Sequence, residues 1–216
     1  KANNQAGRIS KGQFVLFLNS DTVTQPGALQ TMVQTFLDFP VDETTAYSDQ
    51  ADKVGDRLGM LCPQLQNPDG TIQRQGGDLP SLVSVFAQMS LLDDVPLLGM
   101  LLPSTQHTGQ HGRYTDQGTQ ELLPMGWIAG TALMIRRTMA DEIGWLDENI
   151  FMYGEDMEYC LRAKQHHWDV AIQPKAKIVH YGCASSSSEN AIMGEVKGYL
   201  YIWSKHLPLW QLPWLK

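Results

Sequence analysis

The sequence predicts an α/β domain, because apolar runs typical of buried strands alternate with segments of helical periodicity. Phe14–Leu18 is an uninterrupted apolar run, as expected of a strand buried on both faces of a parallel or mixed sheet. Apolar residues then recur at helical spacing from Leu29 to Leu37, and a second apolar run covers Leu58–Leu65. Polar residues that follow such strands reach the edge at which open α/β sheets bind ligands.

The composition argues against several functional classes. The 216 residues are 43% hydrophobic and 18% charged, which is typical of one globular domain. A net charge of −7 argues against a surface that neutralises nucleic-acid phosphates. We find no secretory signal and no apolar run of the ~18 to 20 residues needed to span a bilayer. Three widely spaced cysteines predict neither a disulfide framework nor a thiolate zinc site, which favours a reducing, cytoplasmic setting.

The first half of the chain has helix and turn patterns around these strands. Residues 1–12 resemble a helix already under way, and the next helix is expected to begin with Thr24 as cap and to end before Pro40. The sequence NPDG at Asn67–Gly70 predicts a tight turn with a hairpin-like return through Thr71–Arg74.

The middle of the chain is less regular than either end. From residue 76 to 124 it is rich in glycine, proline and leucine, which indicates an irregular excursion or a loop with short helices. His107 and His111 lie there without carboxylate or thiolate neighbours in the sequence, and we assign them to the loop.

The second half returns to strands and helices. Trp127–Arg137 predicts a strand, followed by a short helix with a cap at Thr138 and a stop at Gly144. A further helix is expected to begin near Glu155, and Asp169–His180 predicts one or two closing strands.

Asp21 is the first candidate for chemistry. It follows the strand Phe14–Leu18 directly after Asn19 and Ser20, and a carboxylate there can hold magnesium or manganese while phosphates and water complete the coordination. Spacing alone favours the alternative that Asp21 only caps the following turn.

Five other residues, in three groups, have two interpretations each. Glu155 and Asp156 enter a helix, where they complement the helix dipole or provide a general base for an acceptor hydroxyl. His180 ends an apolar strand and either ligates a metal or hydrogen-bonds in the core. Trp127 with Gly130 either packs in the core or forms an aromatic platform that a sugar ring can approach. The residues alone leave these alternatives open.

Taken in chain order, four segments resemble the family 2 glycosyltransferases, especially their rhamnosyltransferase-like branch. The resemblance runs from about Ala2 to Ser186 and is weakest across Leu79–Pro124. Its most specific part combines Phe-Met-Tyr, Glu-Asp, a helix arginine and a strand-end histidine. The four segments are AGRISKGQFVLFLNSDT, GMLCPQLQNPDGTIQRQGG, WIAGTALMIRR and the run from Ile143 to Ser186.

The resemblance implies a GT-A fold, with a mixed, mostly parallel central sheet flanked by helices. It also implies inverting transfer of a sugar from a nucleotide-diphosphate sugar. Asn19 and Asp21 fall on the family's Asp-X-Asp-like motif, with asparagine in its first position, and His180 falls on the histidine of the metal and pyrophosphate site. The expected cofactor is a divalent cation, magnesium or manganese.

The resemblance also assigns the second half of the site. Asp156 falls on the catalytic base, with Glu155 beside it. Trp127 and Gly130 match the segment that lines the donor and acceptor pocket. Arg162 is expected to brace the catalytic helix next to that pocket by ion pairing.

The resemblance further implies an N-terminally truncated domain that lacks roughly the first two βα units, on the order of 70 to 80 residues. We assign residues 1–190 to the distal part of the catalytic domain, and expect little activity from the isolated chain. Residues 191–216 form a helical, aromatic tail whose tryptophans and lysines suit a membrane interface, or a closing helix packed on the domain.

The sequence therefore predicts a hexosyltransferase, with rhamnose as the expected sugar and a saccharide or lipid-linked acceptor, in cell-surface polysaccharide synthesis. It would act in the cytoplasm, at the inner face of the cell membrane if the tail binds lipid. The alternatives are a non-catalytic carbohydrate-binding remnant of such an enzyme, and another metal-dependent nucleotide-sugar enzyme such as a nucleotidyltransferase.

Overall fold

The computed structural model describes residues 1–41, 57–90, 92, 95, 105, 121–182 and 188–215. Much of the irregular middle segment, including His107 and His111, therefore lies outside the described residues. The described part of the chain is an α/β structure in which helices flank a mixed sheet. None of its helices has the length and apolar character that crossing a membrane requires.

Helices and strands alternate along the described residues. The helices are α1 (Ala2–Ile9), α2 (Ala28–Asp38), α3 (Leu82–Met89), α4 (Arg137–Ile143), α5 (Glu155–Gln165), α6 (Ser188–His206) and a final 3-10 helix (Leu209–Leu215). The strands are β1 (Phe14–Leu18), β2 (Thr22–Thr24), β3 (Leu58–Gln66), β4 (Gly76–Gly77), β5 (Leu123–Pro124), β6 (Trp127–Ile128), β7 (Ala132–Arg136) and β8 (Asp169–His180).

The main sheet has the strand order β1, β7, β3, β8, β2, and β5 also pairs with β8. β3 and β8 are parallel, whereas the other described pairs of this sheet are antiparallel. A mixed sheet flanked by helices is confirmed, but the expectation that it is mostly parallel is wrong. An apolar run reports how deeply a strand is buried and carries no information on the direction of its neighbours.

The prediction of two-sided burial is wrong for β1. This strand stands first in the described strand order, and its burial alternates: Val15 and Phe17 are buried, whereas Leu18 is 43% exposed. Two-sided burial occurs in β3, whose residues are all buried. β3 pairs with a neighbour on each edge, β7 on one side and β8 on the other.

Three element boundaries differ from the predicted ones. Thr24 lies in β2, where three β-branched residues pair with β8, and α2 begins only at Ala28. The predicted strand Trp127–Arg137 is divided into β6 and β7. α4 begins without a side-chain cap, so the predicted cap at Thr138 is wrong.

Other local predictions are confirmed. The amide of Gly70 donates to the carbonyl of Asn67 at 2.9 Å, which closes the NPDG turn, and Gln66 bridges Ile72 on the return. α4 ends at Gly144, whose φ of 83° lies in the left-handed region that favours glycine. α1 and α5 occupy the predicted segments, and β8 is one continuous strand.

The helix α6 packs on the domain through Tyr199, Ile202 and Trp203, which are buried. It begins at Ser188, so the predicted domain boundary between residues 190 and 191 falls inside this helix. The 3-10 helix that follows has no buried residues. The expectation of a closing helix packed on the domain agrees with α6, whereas the membrane interface stays a prediction for the exposed segment that follows.

A buried carboxylate joins α6 to α5. Glu158 is fully buried and accepts hydrogen bonds from Arg162, which is the predicted i,i+4 pair, and from Lys205 and His206 on α6. Burial alone would raise the pKa of Glu158. The hydrogen bonds and charge of Arg162, with the bonds from Lys205 and His206, outweigh burial and hold that pKa below its ordinary value.

We expect Glu158→Gln to lower the free energy of unfolding by about 3 kcal/mol, because it removes the fully buried counter-charge of Arg162 and Lys205. Urea unfolding followed by circular dichroism measures this loss. Arg8→Ala is the control, since it removes only an ion pair in which Arg8 is 60% exposed, and it should cost less than about 1 kcal/mol. Equal losses in the two variants would contradict the assigned role of Glu158.

Candidate active site

The pairing of β2 with β8 brings Asp21 and His180 together. Thr22 stands opposite His180 in the antiparallel register, and the amide of Tyr181 donates to the carbonyl of Asp21 at 3.0 Å. The side-chain atoms Asp21 Oδ2 and His180 Nε2 lie 3.4 Å apart, and both side chains are partly exposed. Two residues that are 159 positions apart in sequence thus form one polar cluster at the end of the sheet.

Gln73 holds the other side of the histidine ring, and the sequence did not indicate it. Its Oε1 lies 2.8 Å from His180 Nδ1, and its Nε2 donates to the His180 carbonyl at 2.7 Å. Gln73 stands on the extended segment that returns after the NPDG turn, next to the isolated bridge at Ile72 and within a segment that resembles the family. The side chain of Gln73 is neutral and is not a typical metal ligand, so only its position after the turn could have indicated a role for this residue.

Asp21 and His180 suit a divalent cation as a pair of ligands. The described residues hold no cluster of three or more histidine, cysteine, aspartate or glutamate side chains arranged for a metal ion. A separation of 3.4 Å between a carboxylate oxygen and an imidazole nitrogen is compatible with two bonds to one cation. Magnesium and manganese commonly take few protein ligands, and water and substrate phosphates complete their coordination.

The carboxylate of Asp156 is oriented by backbone amides at the start of α5. Oδ2 accepts from the Gly130 amide at 2.9 Å and Oδ1 accepts from the Met157 amide at 2.8 Å. Burial raises the pKa of Asp156, although these amides oppose the effect. A Cβ atom added to Gly130 would lie 3.7 Å from Oδ2, so the glycine leaves this side of the carboxylate free of a side chain.

Glu155 differs from its neighbour in having a buried oxygen without a hydrogen-bond partner, Oε2. Burial, and then the negative charge of Asp156, raises the pKa of Glu155 to about 7. Both carboxyl groups stand in the first turn of α5, where the helix dipole favours negative charge. Desolvation outweighs that effect here. The pair can therefore hold a proton near neutral pH, as acid–base catalysis requires.

Two hydrogen bonds donated by backbone amides connect the cluster of Asp21 and His180 to the side chain of Asp156. The amide of Asn19 donates to the carbonyl of Thr131 at 2.9 Å, and the adjacent Gly130 donates to Asp156. The loop between β6 and β7 thus contacts both the polar end of β1 and the start of α5. Asn19 itself is exposed and lies between the end of β1 and the turn that contains Asp21.

Two predicted pocket residues have other surroundings. Trp127 is 8% exposed and its indole donates to the carbonyl of Thr105 at 2.7 Å, so core packing replaces the predicted aromatic platform. Arg162 is not placed to bind donor or acceptor, because its guanidinium donates to Glu158 and to the carbonyls of Ile143 and Trp145. These contacts agree with the expectation that Arg162 braces the catalytic helix.

Comparison with known proteins identifies the family to which the chain is similar. Residues 1–194 match the family described as "Glycosyltransferase like family 2". An "N-acetylglucosaminyl-diphospho-decaprenol L-rhamnosyltransferase" of Mycobacterium tuberculosis is 23% identical over 211 residues, which are 96% of this chain and 61% of that protein. The chain therefore spans about three fifths of the length of this relative.

Two further proteins are similar. The "Low-salt glycan biosynthesis hexosyltransferase Agl10" of Haloferax volcanii is 24% identical over 132 residues, covering 61% of this chain and 32% of that protein. The crystal structure of GalNAc-T7 with UDP, GalNAc and Mn²⁺ superposes with a TM-score of 0.54 at 16% identity, covering 93% of this chain and 33% of that one. This superposition supports the predicted GT-A fold.

The raised pKa of Glu155 predicts a pH-dependent stability. Between the ordinary pKa of 4.5 and about 7 the folded protein retains a proton that the unfolded chain releases, so this stabilisation is present at low pH and is lost as the pH rises through about 7. Relative to wild type, Glu155→Gln should gain up to about 3 kcal/mol between pH 4.5 and 8.

Urea unfolding at intervals from pH 4.5 to 8 measures this difference. The matched control is Glu121→Gln, at an exposed glutamate, which should run parallel to wild type. A difference between wild type and Glu155→Gln that does not change with pH would refute the assignment of the proton to Glu155.

Proposed function

The chain belongs to the glycosyltransferase family 2-like proteins, and on this basis we propose that it serves inverting transfer of a sugar from a nucleotide-diphosphate sugar to an acceptor hydroxyl. The observation that carries the proposal is the connection, through Asn19, Thr131 and Gly130, between the pair Asp21 and His180 and the carboxylate of Asp156. This connection supports a single site, in which Asp21 and His180 face the phosphates and Asp156 is the base.

Asp156 is the proposed general base. The amides of Gly130 and Met157 hold its carboxylate in one orientation, and its raised pKa favours capture of a proton. As the acceptor oxygen attacks the anomeric carbon, its proton passes to Asp156. The bond from that carbon to the diphosphate oxygen breaks on the opposite face, so the configuration inverts and the nucleoside diphosphate leaves.

Asp21 and His180 are the proposed ligands of a divalent cation, magnesium or manganese. Bound there, such a cation would supply positive charge against the leaving diphosphate. The imidazole ligand favours manganese over magnesium, which prefers oxygen ligands throughout. The structurally similar GalNAc-T7 was crystallised with Mn²⁺, and this supports the choice of metal at the level of the fold.

We propose rhamnose as the sugar and a saccharide or lipid-linked acceptor, as in cell-surface polysaccharide synthesis. The name of the mycobacterial relative supports this choice, since it specifies rhamnosyl transfer to a lipid-linked diphosphate sugar. Hexosyl transfer in the name of the Haloferax relative supports the broader class. We place the reaction in the cytoplasm, at the inner face of the membrane.

In a parent protein that also carries the first two βα units, we expect Asp156→Asn to lower kcat for sugar transfer by about 10² to 10⁴, with a small change in donor KM, because the variant keeps its shape but cannot take the proton. Asp21→Ala should instead weaken metal-dependent donor binding. The assay supplies a panel of nucleotide-diphosphate sugars, including activated rhamnose, and measures release of nucleoside diphosphate. Asp141→Asn, at an exposed carboxyl of α4, is the control that should retain activity.

The products of this assay discriminate between the alternatives. Release of pyrophosphate in place of nucleoside diphosphate would indicate a nucleotidyltransferase. Saccharide binding by wild type, without turnover of any donor, would indicate a carbohydrate-binding remnant. Full activity of Asp156→Asn would remove this residue from the role of base, whatever the substrate.

The exposed end of the chain supports contact with a membrane surface. Leu209, Trp210 and Trp214 of the 3-10 helix are 65%, 68% and 79% exposed. Tryptophan and leucine on one exposed segment suit the boundary between lipid head groups and acyl chains. Lys205 is not available for lipid head groups, because its ammonium binds Asp147 and Glu158.

Replacing Trp210 and Trp214 together by alanine should lower the affinity for phospholipid vesicles at least about tenfold, because it removes the largest apolar side chains of the segment. Flotation with neutral and anionic vesicles measures the bound fraction. Leu37→Ala is the control, since Leu37 is a 53% exposed apolar residue on α2. Equal flotation of the double variant and wild type would exclude this segment as the membrane contact.

A further inference from the structure

A chain of hydrogen bonds runs from the NPDG turn to the ring of His180. It passes through side chains of the turn and of the segment that returns from it, within the seven consecutive residues from Asn67 to Gln73. The hydroxyl of Thr71 lies 2.6 Å from Asp69 Oδ1, Asn67 Nδ2 lies 2.8 Å from Thr71 Oγ1, and Gln73 Nε2 lies 2.7 Å from Asn67 Oδ1. Gln73 Oε1 then lies 2.8 Å from His180 Nδ1.

The direction of the first hydrogen bonds follows from the carboxylate. An ionised carboxylate can only accept, so the single hydroxyl hydrogen of Thr71 points to Asp69. Thr71 Oγ1 must then accept from the amide nitrogen of Asn67. This leaves Asn67 Oδ1 as the atom that faces Gln73. The hydrogen bonds of Thr71 lower the pKa of Asp69, which keeps the carboxylate ionised at neutral pH.

The same reasoning orients Gln73. Its amide nitrogen faces two oxygens that can only accept, Asn67 Oδ1 and the carbonyl of His180. Its Oε1 must therefore face the ring, and since this oxygen has no hydrogen, the hydrogen in that contact is carried by His180 Nδ1. Two independent acceptors give the same orientation of the amide.

We propose that Asp69, Thr71, Asn67 and Gln73 act as a relay that keeps a hydrogen on His180 Nδ1, so that Nε2 is the nitrogen offered to the cation beside Asp21. In this role Gln73 is a positioning residue, because it acts through His180. The link to a cation rests on the proposed function, whereas the position of the hydrogen follows from the hydrogen bonds alone. A hydrogen bond to one ring nitrogen of a histidine commonly determines that the other nitrogen binds the metal.

The relay also gives the side chains of the NPDG turn a role besides closing the turn. Gly70, with φ 86°, and the hydrogen bond that the Thr71 backbone amide donates to Asp69 Oδ1 already close the turn. The Thr71 hydroxyl and the side chains of Asn67 and Gln73 add a directed path of hydrogen bonds that ends on a histidine 107 residues further along the chain. Sequence separation therefore conceals the connection.

The test is the tautomer of His180 in the metal-free protein, read from long-range ¹⁵N–¹H NMR correlations at pH 8. Wild type should carry its hydrogen on Nδ1. Gln73→Leu removes the ring contact and should populate the form with hydrogen on Nε2. Thr71→Val interrupts the relay and leaves the Gln73 amide held by the His180 carbonyl alone, so it should populate the same form to a smaller extent. Thr71→Ser keeps the hydroxyl and should retain the wild-type tautomer.

Manganese affinity, measured by electron paramagnetic resonance, is the second readout. Gln73→Leu should weaken it by about 10- to 100-fold, and Thr71→Ser should leave it unchanged. A wild-type tautomer in both Gln73→Leu and Thr71→Val, with the fold intact by circular dichroism, would overturn the relay. A changed tautomer with unchanged manganese affinity would overturn its link to the cation.

A failure of the proposed function can be distinguished from a failure of the relay by these two measurements. A wild-type protein that binds no manganese would refute the metal half of the proposed function. The NMR measurement needs neither metal nor sugar donor, so the relay would still be supported or overturned by the tautomers of the variants.

Discussion

The candidate site depends on the parallel register between β3 and β8. Both strands are largely buried, and a shift by one residue would turn each side chain to the opposite face of the sheet. In the observed register Gln66 stands beside Val179. The turn that follows β3 therefore begins next to the end of β8, and Gln73 reaches His180. Burial of two apolar strands thus determines the position of a polar cluster beyond their ends.

At the start of α5, in the other half of the candidate site, two electrostatic effects act in opposite directions. Glu155 and Asp156 begin a helix, where the dipole would stabilise their charged forms, yet burial raises the pKa of both groups. Gly154, with φ 96°, permits the sharp entry into α5, and α6 approaches it closely through Gly198. Desolvating two carboxyl groups costs stability, whereas the lowered pKa of Glu158 in the same helix contributes stability at neutral pH.

The sequence predicted the elements that carry the site better than the arrangement of its neighbours. The end of β1 at Leu18 just before Asp21, the helix start at Glu155 and the strand end at His180 follow from local patterns of apolar and polar residues, and all three are confirmed. The place of β1 in the sheet and the burial of Trp127 depend on tertiary packing, which local patterns do not contain. Gln73 was missed because it acts through hydrogen-bond direction, without charge or periodicity.

A site in which Asp21 and His180 are the protein's ligands has a consequence for how cation and substrate combine. Six-coordinate magnesium or manganese would need further oxygens, and a diphosphate supplies them together with negative charge. The cation would bind tightly only with the nucleotide, and the nucleotide only with the cation, because each increases the affinity for the other by the same factor. The acidic net charge of −7 is then compatible with a phosphate-containing substrate, since the cation rather than a basic surface would neutralise it.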